Sequence, residues 1–427
     1  MVVSKSGLVV SATAVMLAAV AVAGAGIHLS SQASFRESPK ELIDEVWQII
    51  EKNYVDGTFN QVDWKAVRTE YLNRNYTSDE QAYEAIREML EKLKDPYTRF
   101  MDPEEFKNMQ IDTSGELTGV GIQLTQDEES KKLIVISPIE DSPAFDAGVQ
   151  AQDIVLKIDG QSTEGMDINE AVKLIRGPVG TEVTLTILRG SEEMVVPIKR
   201  AKIEIHPVRY STQNSSTGTI GYVRLNTFSA NAADEMREAI TELEKQNVTG
   251  YILDLRSNPG GLLYASIEIA RMLMNEGDIV STVDRRGELD RQKANNRALT
   301  DKPMVVLIDG GSASASEILS GALQDNERAL LIGSKSFGKG LVQSVRGVGN
   351  GSGLAVTIAK YFTPDGRDIN HEGIQPDVKI DLTDAQREQL RKERTKIGTL
   401  DDPQFAKALE VLTQEIATAQ KTQAKTK

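Results

Sequence analysis

The segment Gly310-Gly-Ser-Ala-Ser-Ala-Ser-Glu-Ile318 sets three hydroxyls, Ser312, Ser314 and Ser316, on alternate positions among small residues, directly after the apolar run Val305-Val306-Leu307-Ile308. A strand that passes through a tight turn into a helix can present a serine Oγ beside the unpaired N–H groups of the helix's first turn. There the helix dipole favours developing negative charge, as acyl-transfer chemistry requires. The same residues spell Ser314-x-x-Glu317, a capping box with Ser314 as N-cap, which calls for no chemistry. The local pattern supports both readings, so the choice depends on whether the chain supplies a base.

The chain has no cysteine and three histidines, His28, His206 and His371. Thiol nucleophiles, disulfides, zinc-thiolate sites, iron–sulfur clusters and histidine-rich metal sites are thereby excluded. His206 precedes a proline and His371 sits in the turn-rich stretch 367–373, and nothing beside either marks a Ser/His/Asp triad. Lysine is the other possible base where a water-poor site disfavours its charged form. Lys339, in Phe337-Gly-Lys-Gly-Leu-Val342, has an aromatic and two aliphatic neighbours, and glycines that allow close approach. The plain alternative is an exposed Gly-Lys-Gly turn. Gln343 could hold the amine through its amide oxygen if the chain turns back or is helical there. Gly333 to Lys339 also fits G-x-x-x-x-G-K, but Gly340 stands where a phosphate-binding loop needs Ser or Thr, and residues 341–345 alternate instead of opening a helix.

The elements around these residues change texture along the chain. Residues 39–109 read as helical, with Leu42, Ile43, Val46, Trp47, Ile49 and Ile50 forming one apolar stripe and further helices over 61–73 and 78–93; Asp95-Pro-Tyr-Thr-Arg-Phe100 stops the last. That stretch reads as a helical cap without chemistry. Residues 113–200 carry short strands and glycine turns with one clear helix, Ile168 to Ile175, which suits a compact, partly open barrel. After Thr219 strand and helix alternate, the pattern of a layered α/β core: helices over 231–246, 262–274 and 315–324, and strands at 220–225, 250–255, 303–309 and 329–332. The stretch from about 383 is polar and reads as a helical or frayed tail.

At 427 residues there is room for two or three domains, and the net charge of −14 argues against a nucleic-acid partner. Residues 1–33 read as an export signal: Lys5, then an uncharged run from Gly7 to Ile27, then Ser31-Gln32-Ala33 as a small-x-small cleavage site. The run is also about the length of a minimal membrane span, so an uncleaved anchor is the competing reading.

Taken in order, Asp95-Pro-Tyr-Thr-Arg-Phe100, the glycine-rich strand at 119–124, Asp254-Leu-Arg-Ser-Asn-Pro-Gly-Gly261, Ser312-Ala-Ser-Ala-Ser-Glu317, Phe337-Gly-Lys-Gly340 and Tyr361-Phe-Thr-Pro-Asp-Gly366 resemble the C-terminal processing peptidases, or tail-specific proteases. The resemblance implies an α/β protease core of the ClpP/crotonase kind with an inserted PDZ domain and an N-terminal helical segment. Its boundaries are signal 1–33, helical domain 34–112, PDZ domain 113–200, protease core 201–382 and polar tail 383–427. It implies Ser314 as nucleophile, Lys339 as general base, Gln343 as the residue orienting the lysine, and an oxyanion hole from the N–H groups of Gly260 and Ala315. Asp254, Arg256 and Asp325 are read as scaffold charges with indirect effects, and Glu317 as support for the first helical turn.

In the part that resembles a PDZ domain, Gly119, Val120, Gly121 and Ile122 match the loop that holds a peptide's terminal carboxylate. The implied partner is the C-terminal segment of a protein substrate, with no metal or cofactor. Within the family the chain is most similar to the cyanobacterial and plastid branch, which implies a photosystem II reaction-centre precursor as substrate in the thylakoid lumen. A general periplasmic tail-specific protease and an inert peptide-binding scaffold are the alternatives.

Overall fold

The computed structural model describes residues 38–426 except 128, 129, 140 and 141. The expected export signal or anchor lies outside the described residues, and no described helix is long and apolar enough to cross a membrane.

Three helices open the described chain: Pro39–Asn53, Trp64–Leu72 and Asp79–Glu91. Each start has a side-chain cap, from Ser38, Asp63 and Ser78, and Ser38 forms a full capping box with Glu41 ahead of Pro39. The buried stripe Leu42, Ile43, Val46, Trp47 and Ile50 packs with Ile86 and Met89 on Phe100, Leu354 and Val356. Those last three belong to a second sheet in which strand Arg99–Met101 pairs antiparallel with Gly353–Phe362. Strand Asp278–Asp284 pairs with the latter's other end and with Gly287–Lys293, while Leu341–Gly347 runs along its opposite edge. The helical segment is thus built into the sheet that carries the strand after Lys339.

The main sheet has six strands in the order Val208–Ser215, Gly218–Leu225, Gly250–Asp254, Met304–Ile308, Leu330–Gly333 and Val378–Lys379, parallel after the first hairpin. Gly250–Asp254 and Met304–Ile308 are buried throughout because both faces are covered, the reason their sequences are continuous apolar runs. Tyr251, Leu253, Val306 and Ile308 face helices Ala232–Lys245, Leu263–Leu273 and Ala315–Asp325. Ile252, Val305 and Leu307 alternate to the other face and meet Phe405, Ala408, Leu412 and Ile416 of helix Pro403–Thr426. Residues 403–416 are therefore a core layer and not the polar tail that composition suggested; apolar positions spaced by three and four residues outweigh a polar average.

The inserted unit is a six-stranded antiparallel sheet, Ile122–Gln126, Leu133–Pro138, Ile154–Ile158, Glu182–Arg189 and Glu192–Lys199, with Gln161–Ser162 on its side, plus helices Pro143–Asp146 and Ile168–Ile175. It leaves and rejoins the chain through a two-stranded ribbon, Glu116–Gly119 with Ala201–Glu204. Arg176 bonds to Asn108 and Lys173 to Glu104 at 2.8 Å, both partners on helix Pro103–Ser114.

Candidate active site

Ser314 stands between strand Met304–Ile308 and helix Ala315–Asp325 with φ 54° and ψ −111°, a conformation that costs a non-glycine residue about 1–3 kcal/mol. A dense set of bonds holds it there. Asp309 Oδ1 accepts from Gly311 N–H at 2.9 Å and Ser257 N–H at 2.7 Å. Ser312 Oγ donates to the Leu255 carbonyl at 2.8 Å and accepts from Asp309 N–H at 3.0 Å, while Ser316 Oγ donates to the Asn258 carbonyl at 2.9 Å. The two flanking serines thus fasten the elbow to the turn 255–258.

Of the expected capping box, the Glu317 side chain receives the Ser314 N–H while the Ser314 side chain makes no capping bond, and Glu317 reaches beyond this pairing. Its side chain is fully buried. Oε2 accepts from the backbone N–H of Ser314 at 2.8 Å and of Lys339 at 2.8 Å; Oε1 accepts from Ser336 Oγ at 2.6 Å and Gly338 N–H at 2.7 Å. One carboxylate therefore ties the serine elbow to the lysine loop, a larger role than support for one helical turn.

Lys339 is half-buried, and burial first, with Arg99 adding to it, holds its amine below the ordinary lysine range, while Asp95 and Glu317 oppose the shift. Among the described residues Nζ has no hydrogen bond or ion pair; it lies over the Tyr97 ring, 4.9 Å from the centroid. The amine and the Ser314 hydroxyl are not hydrogen-bonded to each other in this structure. Nor does Gln343 hold the lysine: the chain after Lys339 is neither helical nor folded back but a strand, Leu341–Gly347, irregular between Val342 and Gln343. Gln343 Nε2 is buried without a partner. A strand here also removes the phosphate-loop reading, which needs a helix.

Gly260 packs directly on the elbow: a Cβ there would lie 2.6 Å from the Ala313 carbonyl oxygen and 3.0 Å from both Ala315 N and Ser314 Cβ, and its φ is +100°. The two expected oxyanion donors are neighbours, and Ala315, first in its helix, has no intrahelical acceptor for its N–H. The Gly260 N–H is, however, engaged by Asn258 Oδ1 at 2.9 Å, a buried asparagine that sequence reasoning passed over.

Asp254 and Arg256 meet at 2.6 Å, both buried; the strand stops at Asp254, so they join across the start of the turn. All five guanidinium N–H groups of Arg256 are used: by Asp254, by Asp402 at 3.0 and 2.7 Å, and by Gln404 at 3.0 Å. Tyr222 OH adds a 2.7 Å bond to Asp254. Burial alone would raise the Asp254 pKa, but Arg256 overrides it and leaves the carboxyl below its usual range. Asp402 and Gln404 lay in the presumed tail. The Asp402-Pro403 pair is a visible helix-start signal, whereas its pairing with Arg256 has none. Asp325, at the helix end, bonds Arg367 and the Asp365 N–H at 3.0 Å, away from the serine.

In the inserted unit, Gly119 closes the ribbon opposite Ala201, Val120 is buried, and Gly121 sits where a Cβ would be 2.3 Å from Ser142 Cβ. Ile122 begins a strand at the sheet's edge. His206 Nδ1 lies 2.9 Å from Glu235 and His371 donates its backbone N–H to the Gly338 carbonyl at 2.9 Å.

The sequence profile of peptidase family S41 matches residues 219–380, that of a PDZ domain residues 134–189, and that of the tricorn protease C1 domain residues 35–95. A carboxyl-terminal-processing protease of Synechocystis sp. is 44% identical over 404 residues, 93% of this chain and 93% of that one. The chloroplastic C-terminal processing peptidase of Tetradesmus obliquus is 38% identical over 360 residues, 81% of this chain and 78% of the relative. The solved structure of a photosystem II D1 C-terminal processing protease superposes with a TM-score of 0.56 at 38% identity, covering 81% of this chain and 94% of that chain. Identity of this extent through helical segment, PDZ unit and core means that the chain belongs to peptidase family S41, as a serine-type carboxyl-terminal-processing protease.

Proposed function

We propose that the enzyme removes a C-terminal extension from an exported or lumenal precursor, with Ser314 as nucleophile and Lys339 as general base. The observation that carries this reading is the Glu317 carboxylate, which receives the N–H groups of Ser314 and Lys339 on a single oxygen and so fixes the two backbones against each other. Neutral Lys339 takes the Ser314 proton as Oγ attacks the peptide carbonyl, then delivers it to the leaving amine. Water then attacks the acyl-enzyme as it gives a proton to Lys339, and the lysine returns that proton to Ser314 Oγ as the acyl–oxygen bond breaks and the new carboxyl end is released. The oxyanion falls to the N–H groups of Ala315 and of Gly260 once the latter leaves Asn258. Gln343 orients the amine in the engaged state.

The loop Gly119, Val120, Gly121 and Ile122 holds the substrate's terminal carboxylate, and the edge strand beginning at Ile122 offers backbone for pairing. Residues 1–33 export the chain. The cyanobacterial and chloroplastic relatives support the thylakoid lumen as compartment and the photosystem II reaction-centre precursor as substrate. The test is incubation with a precursor peptide carrying its C-terminal extension, beside one ending in an unrelated tail. Full cleavage by Ser314→Ala or Lys339→Ala would remove the dyad from the mechanism; equal cleavage of both tails would make the enzyme a general tail-specific protease.

A further inference from the structure

The turn Asp95-Pro-Tyr-Thr-Arg99, expected to be a plain helix stop, reaches the site from the opposite end of the chain. Its shape is set by Asp95, which accepts from Tyr97 N–H at 2.9 Å and Thr98 Oγ at 2.7 Å. Buried Thr98 in turn accepts the Thr357 N–H at 3.0 Å, and Thr357 is the register partner of Gln343 on the neighbouring strand. The Tyr97 ring is thus fixed through the same strands that carry the lysine loop, and its face is the one described partner of Lys339 Nζ. An aromatic face binds an ammonium and not a neutral amine, with a preference of roughly two- to thirty-fold from exposed to desolvated sites.

We propose that Tyr97 is a positioning residue for the base: its ring is the resting place of the protonated Lys339 amine, which must withdraw from it, neutral, to reach Ser314. The proposal rests on the assignment of Lys339 as base. The other charged groups facing the amine are Asp95 and Arg99 from the turn and Glu317 from the nucleophile helix; Asp95 and Glu317 favour the ammonium and Arg99 opposes it. Lys360, in register with Leu341, is held by Asp368 at 3.1 Å, and the His371 backbone is bonded to Gly338. None of these groups touches Nζ, so the ring decides where the charged amine rests.

Because the ring stabilises only the protonated form, it places the acid limb of kcat/KM at higher pH than an apolar side chain of similar cover would. The full chain and its Tyr97→Phe, Tyr97→Leu and Tyr97→Trp variants are compared by the pH profile of kcat/KM on an extended peptide. With the face kept, the Phe limb coincides with that of the unmodified enzyme. With the face lost, the Leu limb moves to lower pH, raising the rate on that limb about two- to thirty-fold. Trp, the strongest face, moves it to higher pH. A purely structural ring would change kcat or thermal stability and leave the limb in place. Coincident limbs in Leu and Trp, or a Leu limb displaced upward, overturn the proposal; if Leu does not fold, coincident Phe and Trp limbs do so. Lys339→Ala separates the two levels. Its inactivity beside unmoved limbs refutes the role of Tyr97 alone, whereas its activity refutes the dyad and the role of Tyr97 with it.

Discussion

Replacing Glu317 by glutamine keeps the shape of the clamp and turns one of its two acceptor oxygens into a donor. The amide can enter in two orientations with different costs. With its NH2 toward Ser336 and Gly338, Ser336 Oγ can turn to accept, Gly338 N–H loses its acceptor, and the Ser314 and Lys339 N–H groups stay bonded to oxygen. The unsatisfied Gly338 N–H costs about 1–3 kcal/mol, and the Ser336 hydroxyl hydrogen must also turn away from residue 317. The other orientation releases Ser314 and Lys339 together, at about twice that cost, so the first is preferred. The three surviving bonds lose the strength lent by a full charge, which brings the total to about 2–4 kcal/mol. Glu317→Ala would strand all four donors at a cost of about 4–12 kcal/mol, comparable to the whole stability of a domain, and is the less informative variant. The loosened elbow displaces the hydroxyl relative to the amine, so kcat/KM per folded molecule should fall at least about tenfold, equivalent to about 1.4 kcal/mol. Urea unfolding and peptide cleavage measured on one preparation separate the two effects. An unchanged kcat/KM with lowered stability would show that Glu317 is a fold element only, and the unmodified enzyme's values in both would refute the reasoning altogether.

The lowered pKa of Lys339 fixes two signs. With Lys339 as the proposed base, activity should decline as pH falls through the lysine's lowered pKa, while a pH-independent rate across the acid range would exclude a lysine base. The native state binds fewer protons than the unfolded chain, so the lysine weakens the fold below that pKa, and the penalty fades as pH rises to the ordinary value of about 10.4. Lys339→Met should therefore be inactive yet more resistant to urea at neutral pH. Asp402→Ala leaves buried Arg256 with one carboxylate and should cost about 3–5 kcal/mol in denaturant titration. Gly260→Ala drives a Cβ against the Ala313 carbonyl and the Ala315 N–H, and peptide turnover should fall by about 10²–10³, the loss typical of one oxyanion donor.

The core was legible where one element's own periodicity decides the outcome. Continuous apolar runs marked the buried strands at 250–254 and 304–308, and Ser314-x-x-Glu317 marked the helix that follows. What could not be read were polar meetings between distant elements. Thr98 finds Thr357 across 259 residues and Arg256 finds Asp402 across 146, partnerships set by how layers pack and not by any local pattern. The second sheet was missed for the same reason. The C-terminal helix is a different failure, because Phe405, Ala408, Leu412 and Ile416 are spaced for a helix face that average polarity concealed. At Gln343 a spacing of four would bring the amide to Lys339 only on a helix or a reversed chain, and the residue lies on a strand, so its role rests on the family resemblance and not on local spacing.

A protease that shortens other chains from the carboxyl end must not treat its own copies as food. Helix Pro403–Thr426 bears on this, because Phe405, Leu412 and Ile416 are seated under the main sheet and Asp402 is bonded to Arg256. A cleft that accepts extended backbone could engage residues 402–416 only after the helix had uncoiled and that arginine had lost its partner. Residues 402–416 are thus withheld from an extended-peptide cleft by the same packing that builds the second face of the main sheet.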